Sequence, residues 1–112
     1  MRILIADDAP ETRRSMQLIL SLAPDVEVVA AARNGREAVE MAGTHQPDIA
    51  LVDVNMPEMS GLEAIRRMRA RRPELVCIIV SAEKDAITLK QAVEVGVAAY
   101  LIKPFTAEQV LS

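Results

Sequence analysis

Five short apolar runs stand out along the chain, at residues 3–6, 26–31, 49–52, 75–80 and 97–102. Most are continuous rather than alternating, and four are rich in β-branched residues. Continuous apolar runs of this length predict strands covered on both faces, as in parallel sheets.

The segments between the runs carry helical spacing. The first has Pro10 near its start and then Met16, Ile19, Leu20 and Leu22, ending before Pro24. Proline suits a first helical turn because its missing N–H is not needed there. The second opens at Asn34, a capping residue, with Glu37 placed to reach back to it; Ala38, Val39, Met41 and Ala42 follow, and Gly43 is expected to stop it. The third opens at Ser60-Gly61 and puts Leu62, Ile65 and Met68 on one face. The fourth runs through Ile87, Leu89, Ala92 and Val93 to a Gly96 stop. A fifth begins at Thr106, with Gln109 in the capping-box position. Strand and helix thus alternate along the chain. That pattern predicts an α/β fold, a doubly wound five-stranded parallel sheet with helices on both faces. Right-handed crossovers leave few topologies, and the flavodoxin-like order 2-1-3-4-5 fits best. Residues 1–112 read as a single domain. The last helix, at 106–112, has barely two turns where about three are usual, so it reads as cut short, and a C-terminal effector domain is an expectation.

Composition narrows the class. Only 2% of residues are aromatic while 51% are hydrophobic, so the core must be aliphatic. A net charge of −3 argues against binding nucleic acid by electrostatics alone. Cys77 is the only cysteine and lies inside an apolar run, which excludes a disulfide within the chain and reads as a buried small hydrophobe. His45 is the only histidine, sits before Gln46-Pro47 and reads as a solvated loop residue. No apolar stretch approaches the ~20 residues of a membrane span, and no signal peptide precedes Asp7, so a cytoplasmic location is expected.

The polar residues at the ends of the runs carry the chemistry. Asp7-Asp8 follow the first, Asp53 the third, Ser81 the fourth and Lys103-Pro104 the fifth. In a parallel sheet these ends share one edge, where open α/β folds bind ligands. Three carboxylates there would repel one another by several kcal/mol at an effective dielectric of ~20. Lys103 offsets one charge, and a hard divalent cation such as Mg²⁺ would offset the rest, since no Cys or His is placed to favour a softer metal. With the charge balanced, Asp53 could attack phosphorus and form an aspartyl phosphate, with Ser81 donating to a phosphoryl oxygen. Each element has a bland reading: Asp7-Asp8 as a helix cap, Ser81 as the cap of the next helix, Lys103-Pro104 as a turn. Their coincidence at several strand ends favours the joint site.

At these residues the sequence resembles the CheY-like receiver domain of bacterial two-component response regulators. The motifs are Ile3-Leu4-Ile5-Ala6-Asp7-Asp8, Leu51-Val52-Asp53-Val54-Asn55-Met56-Pro57, Gly61-Leu62, Val80-Ser81-Ala82 and Tyr100-Leu101-Ile102-Lys103-Pro104-Phe105. The resemblance implies that Asp53 is the phosphoacceptor. It implies that Asp7, Asp8, Asp53 and the backbone carbonyl of Asn55 bind Mg²⁺. Ser81 matches the switch hydroxyl, Tyr100 the switch aromatic and Lys103 the phosphate-binding lysine. The Lys103–Pro104 bond matches one that is usually cis, and the side chains of Asn55 and Glu83 match positions that tune the lifetime of the phosphoryl group. Ser81 stands where Thr is commoner but keeps the hydroxyl. The implied donor is a sensor histidine kinase or phosphotransfer protein, and homodimerisation on phosphorylation is a further expectation.

The implied switch moves Ser81 toward the phosphoryl group and Tyr100 into the space it leaves. This would reshape the face of the fourth helix, fifth strand and fifth helix to control an output, with transcription among the candidates. Other functions fit less well. A haloacid-dehalogenase-type phosphatase would want a second Asp where Asn55 stands. A flavin-binding module would want a Ser/Thr/Gly-rich loop where Asp7-Asp8-Ala9-Pro10 stands. A degenerate receiver would not keep the acidic set. The arginines Arg66, Arg67, Arg69, Arg71 and Arg72 read first as a solvated helix face with cations near a helix C-terminus.

Overall fold

The computed structural model describes residues 1–82, 85–103 and 105–111. The expectations for Glu83 and Pro104 therefore lie outside the described residues. The elements are β1 Arg2–Ala6, α1 Pro10–Ser21, β2 Glu27–Ala32, α2 Gly35–His45, β3 Ile49–Asp53, α3 Gly61–Arg71, β4 Val76–Ser81, α4 Ala86–Val95, β5 Ala99–Ile102 and α5 Ala107–Leu111. The strands form one sheet in the order β2-β1-β3-β4-β5, every pairing parallel, as the alternation of runs predicts.

Side chains that read as continuous runs divide between the two faces, because successive Cβ atoms in a strand point to opposite sides. Leu4, Ala6, Val52, Cys77 and Ile79 pack under Ala38, Ala42, Ala64, Ile65, Met68 and Ala92 of α2, α3 and α4. Ile3, Ile5, Leu51, Ile78 and Val80 pack against Met16 and Leu20 of α1 and against Phe105 and Val110. The core is aliphatic apart from Phe105 and the rim of Tyr100. Burial pushes the Cys77 thiol up to about 11, so it is a packing residue and not a nucleophile. None of the described helices is long and apolar enough to cross a membrane.

Several helix ends follow the sequence. The Asn34 side chain accepts a hydrogen bond from the Glu37 N–H at 2.8 Å. Ser60 caps α3 by accepting from the Glu63 N–H. Thr106 and Gln109 exchange reciprocal bonds of 2.8 and 3.2 Å at the start of α5. Gly96 ends α4 in the left-handed region at φ 80°.

Other ends differ. Glu37 reaches past Asn34 to accept from the Arg33 N–H at 2.9 Å, and its ion pair with the Arg33 side chain holds its carboxyl down at about 2. Gly43 does not stop α2, which continues through His45; the chain leaves the helix at Gln46, at φ 49°, where the following Pro47 disfavours helical backbone. His45 is accordingly a helical residue and not a loop residue. Leu75 lies just ahead of β4 yet is fully buried, and Val97 precedes β5, tied back by its N–H to the Ala92 carbonyl at 3.2 Å. The Asp7-Asp8 pair does not cap α1 with a side chain, since its N-cap is Ala9 with no side-chain bond, and Asp85 caps α4 in place of Ser81.

One close approach fixes the site's floor. A Cβ on Gly61 would fall 2.0 Å from the Asp53 carbonyl oxygen, so the start of α3 can lie against the end of β3 only without a side chain there. Gly43 is the opposite case, where the only heavy atom within reach is the Arg71 Nη1 at 3.9 Å. Gly61→Ala is expected to cost about 1–3 kcal/mol through overpacking, and Gly43→Ala to gain about 0.5–1 kcal/mol through helix propensity. Urea denaturation of the two variants checks both signs.

Candidate functional site

The carboxyl ends of β1, β3, β4 and β5 bring distant residues together. Asp7 follows β1 directly and is only 1% exposed, so each of its polar atoms needs a partner. Its Oδ1 accepts from the Ala9 N–H at 2.9 Å and its Oδ2 from the Lys103 ammonium at 2.7 Å. Its backbone N–H donates to the Ala32 carbonyl at 3.1 Å, tying the loop to the end of β2. Its backbone carbonyl accepts from the Arg13 guanidinium at 2.6 Å, tying the same loop to α1.

Asp53 closes β3. Its Oδ1 accepts from the Asn55 N–H at 3.1 Å and its Oδ2 from the Lys103 ammonium at 3.3 Å. Lys103 reaches both carboxylates because its own N–H is bonded to the Ser81 carbonyl at 2.8 Å, which fixes its backbone at the end of β4. Asp8 is exposed at the mouth. One carboxylate oxygen from each of Asp7, Asp8 and Asp53 lies within 4.8 Å of the others.

The charges in this cup do not balance. Three carboxylates face one ammonium, and a pair of charges about 5 Å apart repels by roughly 3 kcal/mol at an effective dielectric of ~20. Burial, joined by the charge of Asp7, holds the Asp53 carboxyl above its ordinary range despite the Asn55 N–H and Lys103. Burial also works against the Lys103 ammonium, but its bond to Asp7 and the two nearby carboxylates outweigh that cost and raise its pKa. The arrangement offers three hard oxygen donors with an excess of negative charge, open to solvent on the Asp8 side.

The remaining predicted residues are distributed around the cup. Ser81 is buried at the end of β4, opposite Ile102. Asn55 is exposed on the loop after β3. Tyr100 does not enter the acidic group: it lies in β5 opposite Ile79, partly buried against the aliphatic core. Arg13 is a contributor that apolar spacing and strand-end reasoning had no means to single out. It lies one turn inside α1, and only a helical projection from Pro10 back over the β1 end would have flagged it.

Comparison with known proteins agrees with this geometry. Residues 3–112 match the response regulator receiver domain. The chain is 39% identical over 111 residues to the chemotaxis protein CheY of Listeria monocytogenes, covering 99% of this chain and 92% of that one. It is 45% identical over 105 residues to protein-glutamate methylesterase/protein-glutamine glutaminase 2 of Carboxydothermus hydrogenoformans, of which it spans only 30%. Its fold superposes on the signal receiver domain of the response regulator NarL from Mycobacterium tuberculosis with a TM-score of 0.92 at 32% identity, covering 98% of this chain and 92% of that one. An acidic cup at the carboxyl edge of a 2-1-3-4-5 sheet and a match over nearly its whole length together establish that this chain belongs to the receiver domains of two-component response regulators.

Proposed function

We propose that Asp53 is the phosphoacceptor of this receiver. The observation that carries the reading is the Lys103 ammonium bonded at once to Asp7 and Asp53 beneath a cluster that still holds surplus negative charge. A carboxylate oxygen of Asp53 attacks phosphorus, the bond from phosphorus to the donor nitrogen breaks, and its electron pair returns to the donor imidazole. Sensor histidine kinases and phosphotransfer proteins supply such donors to receivers in general, and they are the proposed partners here. Lys103, which already reaches the Asp53 carboxylate, would turn its ammonium to the arriving phosphoryl oxygens.

Receiver domains are generally Mg²⁺-dependent, and these residues fit that ion. The carboxylates of Asp7, Asp8 and Asp53, with the Asn55 backbone carbonyl, would form an all-oxygen ligand set around a net negative charge. Bound there, the ion would neutralise charge gathering on the phosphoryl oxygens. The chain's own residues orient the group: the Asn55 N–H steadies Asp53, Ala9 and Arg13 fix Asp7, and the Ser81 hydroxyl is assigned to a phosphoryl oxygen.

Phosphorylation adds charge and acceptor oxygens at the end of β3. In the proposed switch, Ser81 shifts toward them and Tyr100, already half against the core, turns further in. The exposed face of α4 and β5, with Ile87, Val93 and Ile102, changes its outline and engages an output or a second copy of the chain. The domain acts as a signalling element whose only chemistry is gaining and losing its own phosphoryl group. We assign it to the cytoplasm and read residues 1–112 as one domain. The phosphatase and flavin-binding alternatives lose their footing with membership of the receiver family.

Incubated with Mg²⁺ and a small acyl phosphate, the protein is expected to gain the mass of one phosphoryl group, and Asp53→Asn to gain none; an equal gain in both proteins contradicts the assignment. A second expectation concerns stability. The folded Asp53 carboxyl sits above its unfolded value of about 3.9, so the folded state holds the proton more tightly and ionisation costs stability. That cost is absent below the unfolded value and complete above the folded one. Without Mg²⁺ at neutral pH, Asp53→Asn should therefore resist urea better than wild type, and the difference should shrink on acidification and on adding Mg²⁺ to the wild type. Urea midpoints across pH measure this, and a difference independent of pH would contradict it.

A further inference from the structure

Asp8 is the least supported of the three clustered carboxylates. Asp7 and Asp53 each accept from a backbone N–H and from Lys103. Among the described residues, the exposed Asp8 side chain has no hydrogen bond or ion pair, yet one of its oxygens lies within 4.8 Å of one from each of the others. Its place in the cup is therefore set by its backbone.

That backbone is held from two sides. After Asp8, the Ala9 N–H donates to Asp7 Oδ1 at 2.9 Å. Before it, the Asp7 carbonyl shares one peptide plane with the Asp8 nitrogen and Cα, and Arg13 Nη1 donates to that carbonyl at 2.6 Å. The Arg13 backbone N–H also bonds to the Ala9 carbonyl at 3.0 Å, so one residue of α1 grips both ends of the Asp7-Asp8-Ala9 segment. The two holds on Asp8 use different atoms. Ala9 is bound to the Asp7 carboxylate, the group a cation would draw on. Arg13 is bound to the backbone and competes with no ligand oxygen. Arg13 is partly buried and, among the described residues, makes no ion pair, although Asp8 and Glu11 stand close in sequence. Its side-chain donor is spent on the peptide that carries a ligand and not on the ligand's charge.

Resting on the reading of the cup as a cation seat, we propose that Arg13 is a positioning residue for that seat: its guanidinium fixes the Asp7–Asp8 peptide and so presents the Asp8 carboxylate to the ion. Two effects of the guanidinium oppose each other. As a charge it repels a divalent cation, and that repulsion fades with salt. As a fixed donor it spares the ion the entropy of ordering Asp8. Groups that orient a metal ligand from behind change metal affinity by about 10–100-fold, so at ordinary salt the positioning effect prevails. The Ala9 bond survives the loss of Arg13, which places the expected change at the low end.

The test titrates Mn²⁺ into the protein and reads the free ion by electron paramagnetic resonance, in wild type, Arg13→Met, Arg13→Lys and Arg14→Met. Arg14 is exposed on the same helix without a partner among the described residues, so its Met variant removes an α1 charge and leaves the peptide alone. Arg13→Met is expected to bind roughly tenfold more weakly. Arg13→Lys, whose ammonium can donate to the same carbonyl, should recover most of the loss, and Arg14→Met should bind at least as tightly as wild type. In the cation-free protein, the Asp7 carbonyl ¹³C resonance should move in Arg13→Met and stay in place in Arg14→Met, which reports the hydrogen bond itself. Arg13→Gln, too short to reach the carbonyl, gives the same reading if the Met variant fails to fold. Equal or tighter binding by Arg13→Met, an equal loss in Arg14→Met, or no recovery with Lys would each overturn the proposal. A wild type that takes up no Mn²⁺ would overturn the cation seat and the role of Arg13 with it, so the two failures are distinguishable.

Discussion

The Lys103 ammonium between Asp7 and Asp53 is the interaction on which the site depends. It joins residues 96 and 50 positions apart in sequence, and so ties the ends of β1 and β3 to the segment after β5. Its two bonds share one side-chain nitrogen, which means the three chain segments cannot separate without stranding a buried carboxylate. A stranded charge of that kind is costly, whereas the intact triad is balanced only in part. The incomplete balance is functionally informative: the fold spends one cation on three anions and leaves an electrostatic demand at the mouth of the cup.

The backbone around the triad is arranged so that this demand stays local. The Lys103 N–H holds to Ser81, the Asp7 N–H to Ala32, and Gly61 lets the start of α3 lie against the Asp53 carbonyl. The first two contacts anchor Lys103 and Asp7 to strand ends, while the loop N–H groups of Ala9 and Asn55 orient the carboxylates of Asp7 and Asp53. The three carboxylates are thereby held close enough together to share one cation. The surface of α4 and β5 sits one strand away from Ser81, close enough for a change at the cup to be felt there.

Much of this was legible in the sequence, for identifiable reasons. The parallel sheet followed from five apolar runs separated by helical spacing, and right-handed crossovers narrowed the strand order to a few topologies, of which the best fit, 2-1-3-4-5, is the one observed. The meeting of Asp7, Asp53 and Lys103 followed from their common position at strand ends. What escaped was decided by contacts that spacing does not encode. Gly43 looked like a helix stop, but Pro47 beyond Gln46 sets the end of α2. Glu37 looked like the partner of Asn34, but the Arg33 side chain draws it one residue further back. Arg13 carried no motif at all; its role against the Asp7 carbonyl appears only when α1 is laid over the end of β1.

The central claim is that the surplus negative charge of the cup is a seat for one divalent cation. Diffraction at the manganese absorption edge, from crystals grown with Mn²⁺, tests it most directly. The account predicts a single anomalous peak bounded by the carboxylates of Asp7, Asp8 and Asp53, with Lys103 retained beside it. A well-ordered cup with no peak between those residues, at Mn²⁺ concentrations that saturate an ordinary carboxylate site, would contradict it.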